Sequence, residues 1–294
     1  MRLRRSPTPN LAPNLASTRA SNPADSAAPA APGAPPAGTI LDAYVREAPT
    51  AQLAIDLFRG EWASLLPAEI DAHAGSIPLF IDPRVDWIVG QAGGVDGRQV
   101  LELGPLEAGH TYMLERAGAF VTAVEANTRA YMKCLIVKEL VQLQRSRFLL
   151  GDYLPYMEAT DRRFDLTMAS GVLYHAPDPL RLLRAIARVS DRVGIWTHYY
   201  DPAITGPESA HARVFVEPPY TAGVAGVEVS LHPRHYLEAL QLQGFCGGSA
   251  PSAAWMELEG IVDVLRGLGF TEVEIGETDL AHAHGPCVLL YAQR

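Results

Sequence analysis

A doubly wound, mostly parallel α/β sheet of seven strands is the fold class this sequence predicts, and two observations carry it. From residue 98 onward, short β-branched or apolar runs alternate with segments of helical periodicity, the pattern that parallel sheets impose. One of those runs, Val100-Leu101-Glu102-Leu103, enters a glycine turn at Gly104 and then a helix, and the next run ends on Glu125, 21 residues further on. Strands are expected at 99–103, 120–124, 147–150, 164–169 and 193–197, with two more at 271–275 and 287–291. Helices fall between them at about 108–117, 128–144, 179–189 and 256–268. Asn127 and Asp178 stand where N-caps belong, and Pro179 takes a first-turn position.

Three stretches depart from that rhythm. Residues 1–38 hold eight prolines among Ala, Ser and Asn, a composition that buries too little surface to offset its ordering entropy; they read as a disordered leader. Residues 39–97 carry a broken helical pattern that reads as an N-terminal helical cap, with Asp82 placed to cap a helix that Pro83 opens. Residues 201–254, rich in Gly, Pro and aromatics, read as an insertion into the 98–294 domain that closes over a substrate as a lid through Phe215, Tyr220, Tyr236 and Phe245.

Composition excludes several classes. Apolar residues make up 48% and charged residues 19%, so the body is globular, and no apolar run reaches membrane-spanning length. The three cysteines are far apart and odd in number, which points to a reducing, cytoplasmic compartment rather than a disulfide framework. Four arginines lie in residues 1–24; without them 20 basic side chains face 33 acidic ones, and so acidic a body disfavours a nucleic-acid partner.

The strand–glycine–helix unit is a nucleotide site in physical terms. Gly104 lets backbone approach a ligand, the following helix presents an electropositive N-terminus, and Glu125 is placed to accept from both ribose hydroxyls. Leu106 removes the second glycine of a dinucleotide loop, so a pyrophosphate is disfavoured there. Glu102, two residues before the glycine on an otherwise apolar strand, needs a cation or hydrogen-bond donors, which suits a cationic amino-acid end. Gly151-Asp152 closes the third strand with a carboxylate that can accept an adenine amino group. The fourth runs out through Phe164-Asp165-Leu166-Thr167-Met168-Ala169-Ser170-Gly171-Val172-Leu173-Tyr174-His175-Ala176-Pro177-Asp178-Pro179.

In this order and spacing the set resembles the class I S-adenosylmethionine-dependent methyltransferases, which are Rossmann-like. The run Gly171–His175 with Asp178-Pro179 looks most like the branch that contains the tRNA wobble-uridine carboxymethyl-transferring enzymes and their small-molecule relatives. The resemblance implies S-adenosylmethionine as cofactor and S-adenosylhomocysteine as product. It places Glu102, Gly104 and Pro105 near the methionine moiety and Glu125 with Ala126 at the ribose. Asp152 with Tyr153 would lie beside the adenine, and Ala169, Ser170 and Gly171 would offer backbone next to the sulfonium. Pro105-Leu106-Glu107-Ala108 departs from the usual glycine-rich loop.

For catalysis His175, His198 and Tyr200 are the candidates. An imidazole titrates near neutrality and can take a proton from an acceptor hydroxyl, and residues 198–201 follow the fifth strand at the sheet edge where such folds bind ligands. No metal is expected, since His232-x-x-His235 and His282-x-His284 lack an obvious third ligand. In the 128–144 helix, Tyr131, Cys134, Leu135 and Val141 read as the buried stripe and Lys133 and Lys138 as the solvated face. The sequence thus reads as a methyltransferase acting on a small molecule. The alternatives are an RNA modifier of the wobble-uridine type and a non-catalytic S-adenosylmethionine-binding protein.

Overall fold

A computed structural model describes residues 44–242, 245–248 and 250–294. The leader expected at 1–38 lies outside the described residues. Helices α1 (Ala51–Ile55) and α2 (Pro83–Gln91) precede the alternating region. There β1 (Gln99–Leu103), α3 (Gly109–Arg116), β2 (Phe120–Glu125), α4 (Thr128–Leu140), β3 (Ser146–Leu150), α5 (Tyr153–Ala159), β4 (Leu166–Ser170), α6 (Pro179–Val189) and β5 (Arg192–His198) follow in turn. After the short α7 (Pro202–Thr205) come β6 (Tyr220–Val224), β7 (Val227–His235), β8 (Ser252–Met256), α8 (Leu258–Gly267), β9 (Glu272–Asp279) and β10 (Cys287–Gln293).

Seven strands form one sheet in the order β3-β2-β1-β4-β5-β10-β9. The first five run parallel, and β10 is antiparallel to both β5 and β9. Their ends match the sequence reading to within a few residues, except that β9 runs on to Asp279 and Phe164 makes only an isolated bridge to Ser190. Period-two alternation sends Leu101 and Leu103 of β1 to the core around α6 and α8, and Val100 to the opposite core around α2, α3 and α4. The expected caps form: Asp82, Asn127 and Asp178 each accept from backbone N–H groups of the helices they precede, and Pro179 opens α6. Helix α6 is buried almost all round, which its run of Leu, Ala and Ile requires.

Residues 44–97 are less helical than their periodicity predicts. Only α1 and α2 are α-helical; between them the chain is held by an isolated bridge, Ser64 to Ile77, because Pro67 and Pro78 interrupt any longer helix. The 201–254 segment contributes a second sheet, β6-β7-β8, antiparallel throughout, whose last strand runs on to Met256. Among the described residues no helix is long and apolar enough to cross a membrane.

Candidate active site

Strands β1 and β4 are neighbours whose connections leave in opposite directions, so a crevice opens at their carboxyl ends. Gly104 turns the chain there with φ +64°, and a Cβ on it would come within 3.1 Å of Val172 Cγ1. Leu106 and Ala108 follow with φ 56° and 64°. Each sits in the left-handed region at a cost of about 1 kcal/mol. The positions read as departures from a glycine-rich loop therefore keep its backbone conformation with larger side chains.

Two carboxylates hold the loop in that shape. Glu125 accepts from Leu106 N–H at 3.1 Å through one oxygen and from Asn127 N–H at 2.8 Å through the other. Glu107 is fully buried and accepts from the N–H groups of Ala63 and Ser64 and from Lys133 Nζ at 2.9 Å. Lys133, expected on the solvated face of α4, is thus a correction: it is buried and also donates to Glu61 O at 2.5 Å, since residues 61–64 cover that face. Lys138 reaches Ser146 O at 2.6 Å, and Leu135, expected in the buried stripe, is 36% exposed, while Val137 is buried in its place.

Glu102 points with Val100 toward α3, where the Thr111 hydroxyl donates to it. Burial pushes its carboxyl up to about 7; His110 and the Thr111 hydroxyl pull against that rise, and the charge of Glu125 adds to it. His110 is tied at 2.9 Å to Asp82, which Arg84 also clamps. Burial opposes ionisation of Asp82, but hydrogen bonds from His110 and Arg84 outweigh it and hold the carboxyl well below the usual range. A buried acid without a direct cation is costly to ionise.

The pH dependence follows. The folded chain binds Glu102's proton more tightly than the unfolded chain does, so this contribution is present below pH 4.5 and is lost as pH rises through about 7. At 1.36 kcal/mol per unit the full span amounts to about 3 kcal/mol. Glu102→Gln is expected to flatten the fall in melting temperature between pH 5 and 8; thermal scans of both proteins across that range check it, and parallel curves would count against the assignment.

At the ends of β3 and β4, Asp152 accepts from Leu154 N–H at 2.8 Å and so caps α5, with its side chain toward solvent. Tyr153 is half-buried; desolvation and the charges of Asp152 and Glu125 push its hydroxyl up to about 12. Ala126 follows Glu125 into the open. Ala169 is buried and Gly171 N–H donates to Trp196 O at 2.8 Å. Glu102, Gly104, Pro105, Glu125, Ala126, Asp152, Tyr153, Ala169, Ser170 and Gly171 thus gather along one edge of the sheet.

Beyond that edge lies a box of rings around Tyr174. Its centroid is 4.1 Å from His175, 4.7 Å from His198, 6.0 Å from Trp196 and 6.3 Å from Trp255. His198 stacks on Trp255 at 5.4 Å, and its Nδ1 lies 2.9 Å from Gly285 O and 3.2 Å from Pro286 O. Carbonyls only accept, so Nδ1 carries the proton and Nε2 keeps the lone pair. His175 Nδ1 shares a 2.7 Å hydrogen bond with the Tyr236 hydroxyl. Desolvation lowers both imidazoles to about 3, helped by Arg234 at His175 and by His282 at His198. The titration near neutrality expected of His175 is therefore moved well to the acid side.

Tyr200, the third candidate, stacks on His232 at 3.5 Å and touches the box through Phe215, one layer out. Of the aromatic residues expected in the 201–254 segment, Phe215, Tyr236 and Phe245 face this region, whereas Tyr220 is 46% exposed on the edge strand β6. The segment also reaches the first edge, since Asn127 Nδ2 approaches Phe245 O at 3.5 Å. Sequence reasoning passed over Tyr174, Trp255 and Arg234, although the period-two run from Val227 to His235 signals a strand facing two ways. Among the described residues no group of three His, Cys, Asp or Glu side chains is disposed to hold a metal ion.

A mostly parallel sheet reversed at β1/β4, with an acid at the end of β2 gripping a left-handed loop after β1, defines a doubly wound α/β domain. Residues 101–196 match the family described as "Methyltransferase domain". Over those residues the chain resembles the S-adenosylmethionine-dependent methyltransferases. It is 28% identical over 124 residues to the ubiquinone biosynthesis O-methyltransferase of Aeromonas salmonicida, covering 40% of this chain and 51% of that one. It is 32% identical over 120 residues to the tRNA U34 carboxymethyltransferase of Chromohalobacter salexigens, covering 37% of this chain and 35% of that one. The chain thus spans about half the length of the first of these relatives and about a third of the second. Among solved structures, the N-terminal domain of EvdMO1 with SAH bound aligns with a TM-score of 0.62 at 19% identity, over 82% of this chain and 94% of that one.

Proposed function

We propose that this chain transfers the methyl group of S-adenosylmethionine to a nucleophilic atom of a small molecule in the cytoplasm. The observation that carries the reading is Glu125, which holds the loop after β1 through Leu106 N–H on one oxygen, accepts from Asn127 N–H on the other, and keeps further lone pairs for a ribose diol. The residues fit that cofactor: Glu102 is a buried acid lacking a cation, Gly104 leaves room for backbone approach, and Tyr153 offers an aromatic face next to Glu125. When bound, the cofactor supplies an electrophilic methyl group on a sulfonium.

The protein's own share is positioning and proton removal. Glu102 balances positive charge, Glu125 orients the ribose, and the ring box excludes water from the reacting edge. His198, neutral and fixed in the Nδ1–H form, accepts the acceptor's proton at Nε2; His175 positions Tyr236. The described part of the 201–254 segment walls the pocket, Phe215 and Tyr236 inward and Tyr220 outward, and residues 61–64 brace the loop after β1.

Calorimetry with S-adenosylhomocysteine and with NAD tests the reading: binding of the first alone is expected, and binding of NAD alone would overturn it. Glu125→Ala is expected to weaken S-adenosylhomocysteine binding by about 1–3 kcal/mol, the scale of lost charge-assisted hydrogen bonds. An unchanged dissociation constant would remove Glu125 from the site. Likeness to a tRNA-modifying relative favours a second reading, in which the acceptor is RNA. A net charge of -9 opposes it, and a salt-dependent shift of bulk tRNA in a gel would reverse the preference.

A further inference from the structure

The β6-β7-β8 sheet sends alternate side chains to two faces. Val229 and Leu231 of β7 and Ala254 and Met256 of β8 join the core that holds α6 and α8. The opposite face carries His232, Arg234 and Tyr236, with Arg234 paired to Ala253 and His232 to Trp255 across the strands. That face meets the ring box, since Trp255 stacks on His198 and Tyr236 bonds to His175.

Arg234 therefore sits among rings. Its guanidinium lies 5.2 Å from the Tyr236 ring and 5.4 Å from the Trp255 ring. Among the described residues no carboxylate pairs with it: the acids that reach β7 are engaged by its histidines, Glu257 with His232 at 3.1 Å and Glu217 with His235 at 2.8 Å. The other full charge that reaches it is Arg213, also positive, and Arg84 adds its own at Tyr174. Ring faces stabilise a cation less than a carboxylate does, so a guanidinium withdrawn from water here is left under-neutralised. Its planar fork matches an oxyanion.

We propose that Arg234 is the anion anchor of the acceptor pocket, and that the substrate is a small flat molecule carrying a carboxylate or phosphate. The proposal rests on the methyl-transfer reading for the identity of the pocket. The acid docks on the Arg234 fork, and the flat body lies among Tyr174, Trp255 and Phe215, which brings its nucleophile toward the edge formed by Ala169, Ser170 and Gly171. Arg213, on the segment before β6, supplies a second positive charge.

The test is calorimetry on the full chain saturated with S-adenosylhomocysteine, using benzoate, phenyl phosphate and the neutral isostere benzamide. At least one acid is expected to bind about tenfold or more tightly than benzamide, as charge-assisted pairing predicts. Whichever acid binds better names the anion. Arg234→Gln is expected to bring that acid down to the level of benzamide, Arg234→Lys to keep part of the preference, and both to leave S-adenosylhomocysteine affinity unchanged. Equal binding of acids and amide by the native chain, no binding of either acid, or a preference that survives Arg234→Gln would each overturn the anchor. If the Gln variant fails to fold, the native comparison can still overturn the anchor, and Arg234→Lys carries its assignment. If S-adenosylhomocysteine does not bind but the Arg234-dependent preference is present, the methyl-transfer reading fails and the anchor stands. Cofactor binding without the preference has the reverse meaning.

Discussion

Lys133→Ala is expected to lower the stability of the folded chain by about 3–5 kcal/mol, the scale for stranding the partner of a buried ion pair. Lys133 and Glu107 have side chains 7% and 1% exposed and meet at 2.9 Å, so removal of the ammonium leaves a buried carboxylate whose remaining described partners are two backbone N–H groups. The aliphatic stem is lost as well, together with the contact of Nζ over the Trp62 ring at 5.3 Å. At roughly 2–4 °C per kcal/mol for a domain of this size, the melting temperature should fall by about 10 °C. Because Glu107 lies in the left-handed loop, S-adenosylhomocysteine binding should weaken in the same variant. Lys133→Met combined with Glu107→Gln keeps the volume and removes both charges, and most of the loss should return. A fall within about 1 kcal/mol for Lys133→Ala would mean that the pair is replaceable by water.

Lys133 also shows where the sequence was legible and where it was not. Strand β1, its glycine turn and the caps at Asp82, Asn127 and Asp178 are local features: a run of apolar residues, a left-handed turn and a short polar side chain before a helix specify themselves. The environment of Lys133 is non-local. Helix periodicity put it on the outer face of α4, and only residues 61–64, some seventy positions earlier, make that face an interior. The loop after β1 was hard to read for the same reason. Leu106 and Ala108 look wrong for a left-handed turn until Glu125 is seen gripping the loop from β2 and Glu107, within it, is seen held by Lys133 and the backbone of Ala63 and Ser64.

The small sheet had a signal that went unused. Val227, Val229 and Leu231 alternate with polar residues, and Ala225-Gly226 joins β6 to β7 with φ 53° and 80°. Ala-Gly is a weak turn marker beside Asn-Gly, and the surrounding Gly and Pro hid the strand behind an irregular composition. Arg234 and Trp255 were lost with it. What remained legible there was the density of aromatics, but neither the strands that carry them nor the outward turn of Tyr220.

His198→Phe is expected to cut turnover by on the order of 10²–10⁴-fold, the range for removing a general base, with S-adenosylhomocysteine affinity unchanged. Phenylalanine keeps the stack on Trp255, so a merely structural role for the ring predicts much less. His175→Ala should lose less, since its ring nitrogen is engaged by the Tyr236 hydroxyl and its part is to hold that residue. The pH–rate profile separates the roles further. With His198 held neutral down to about 3, the native rate should show no histidine limb between pH 5 and 8, where an exposed imidazole would lose its base near 6.5. Stability has the opposite exposure to acid. Both histidines have folded values below the unfolded 6.5, so from that pH down toward 3 the unfolded chain binds more protons, and their contribution to stability drains away as pH falls. His198→Phe and His175→Ala should each make that loss shallower. A native profile with a limb near 6.5, or equal rates for His198→Phe and the native chain, would take His198 out of the chemistry and leave it as a strut between β5 and the turn at Gly285 and Pro286.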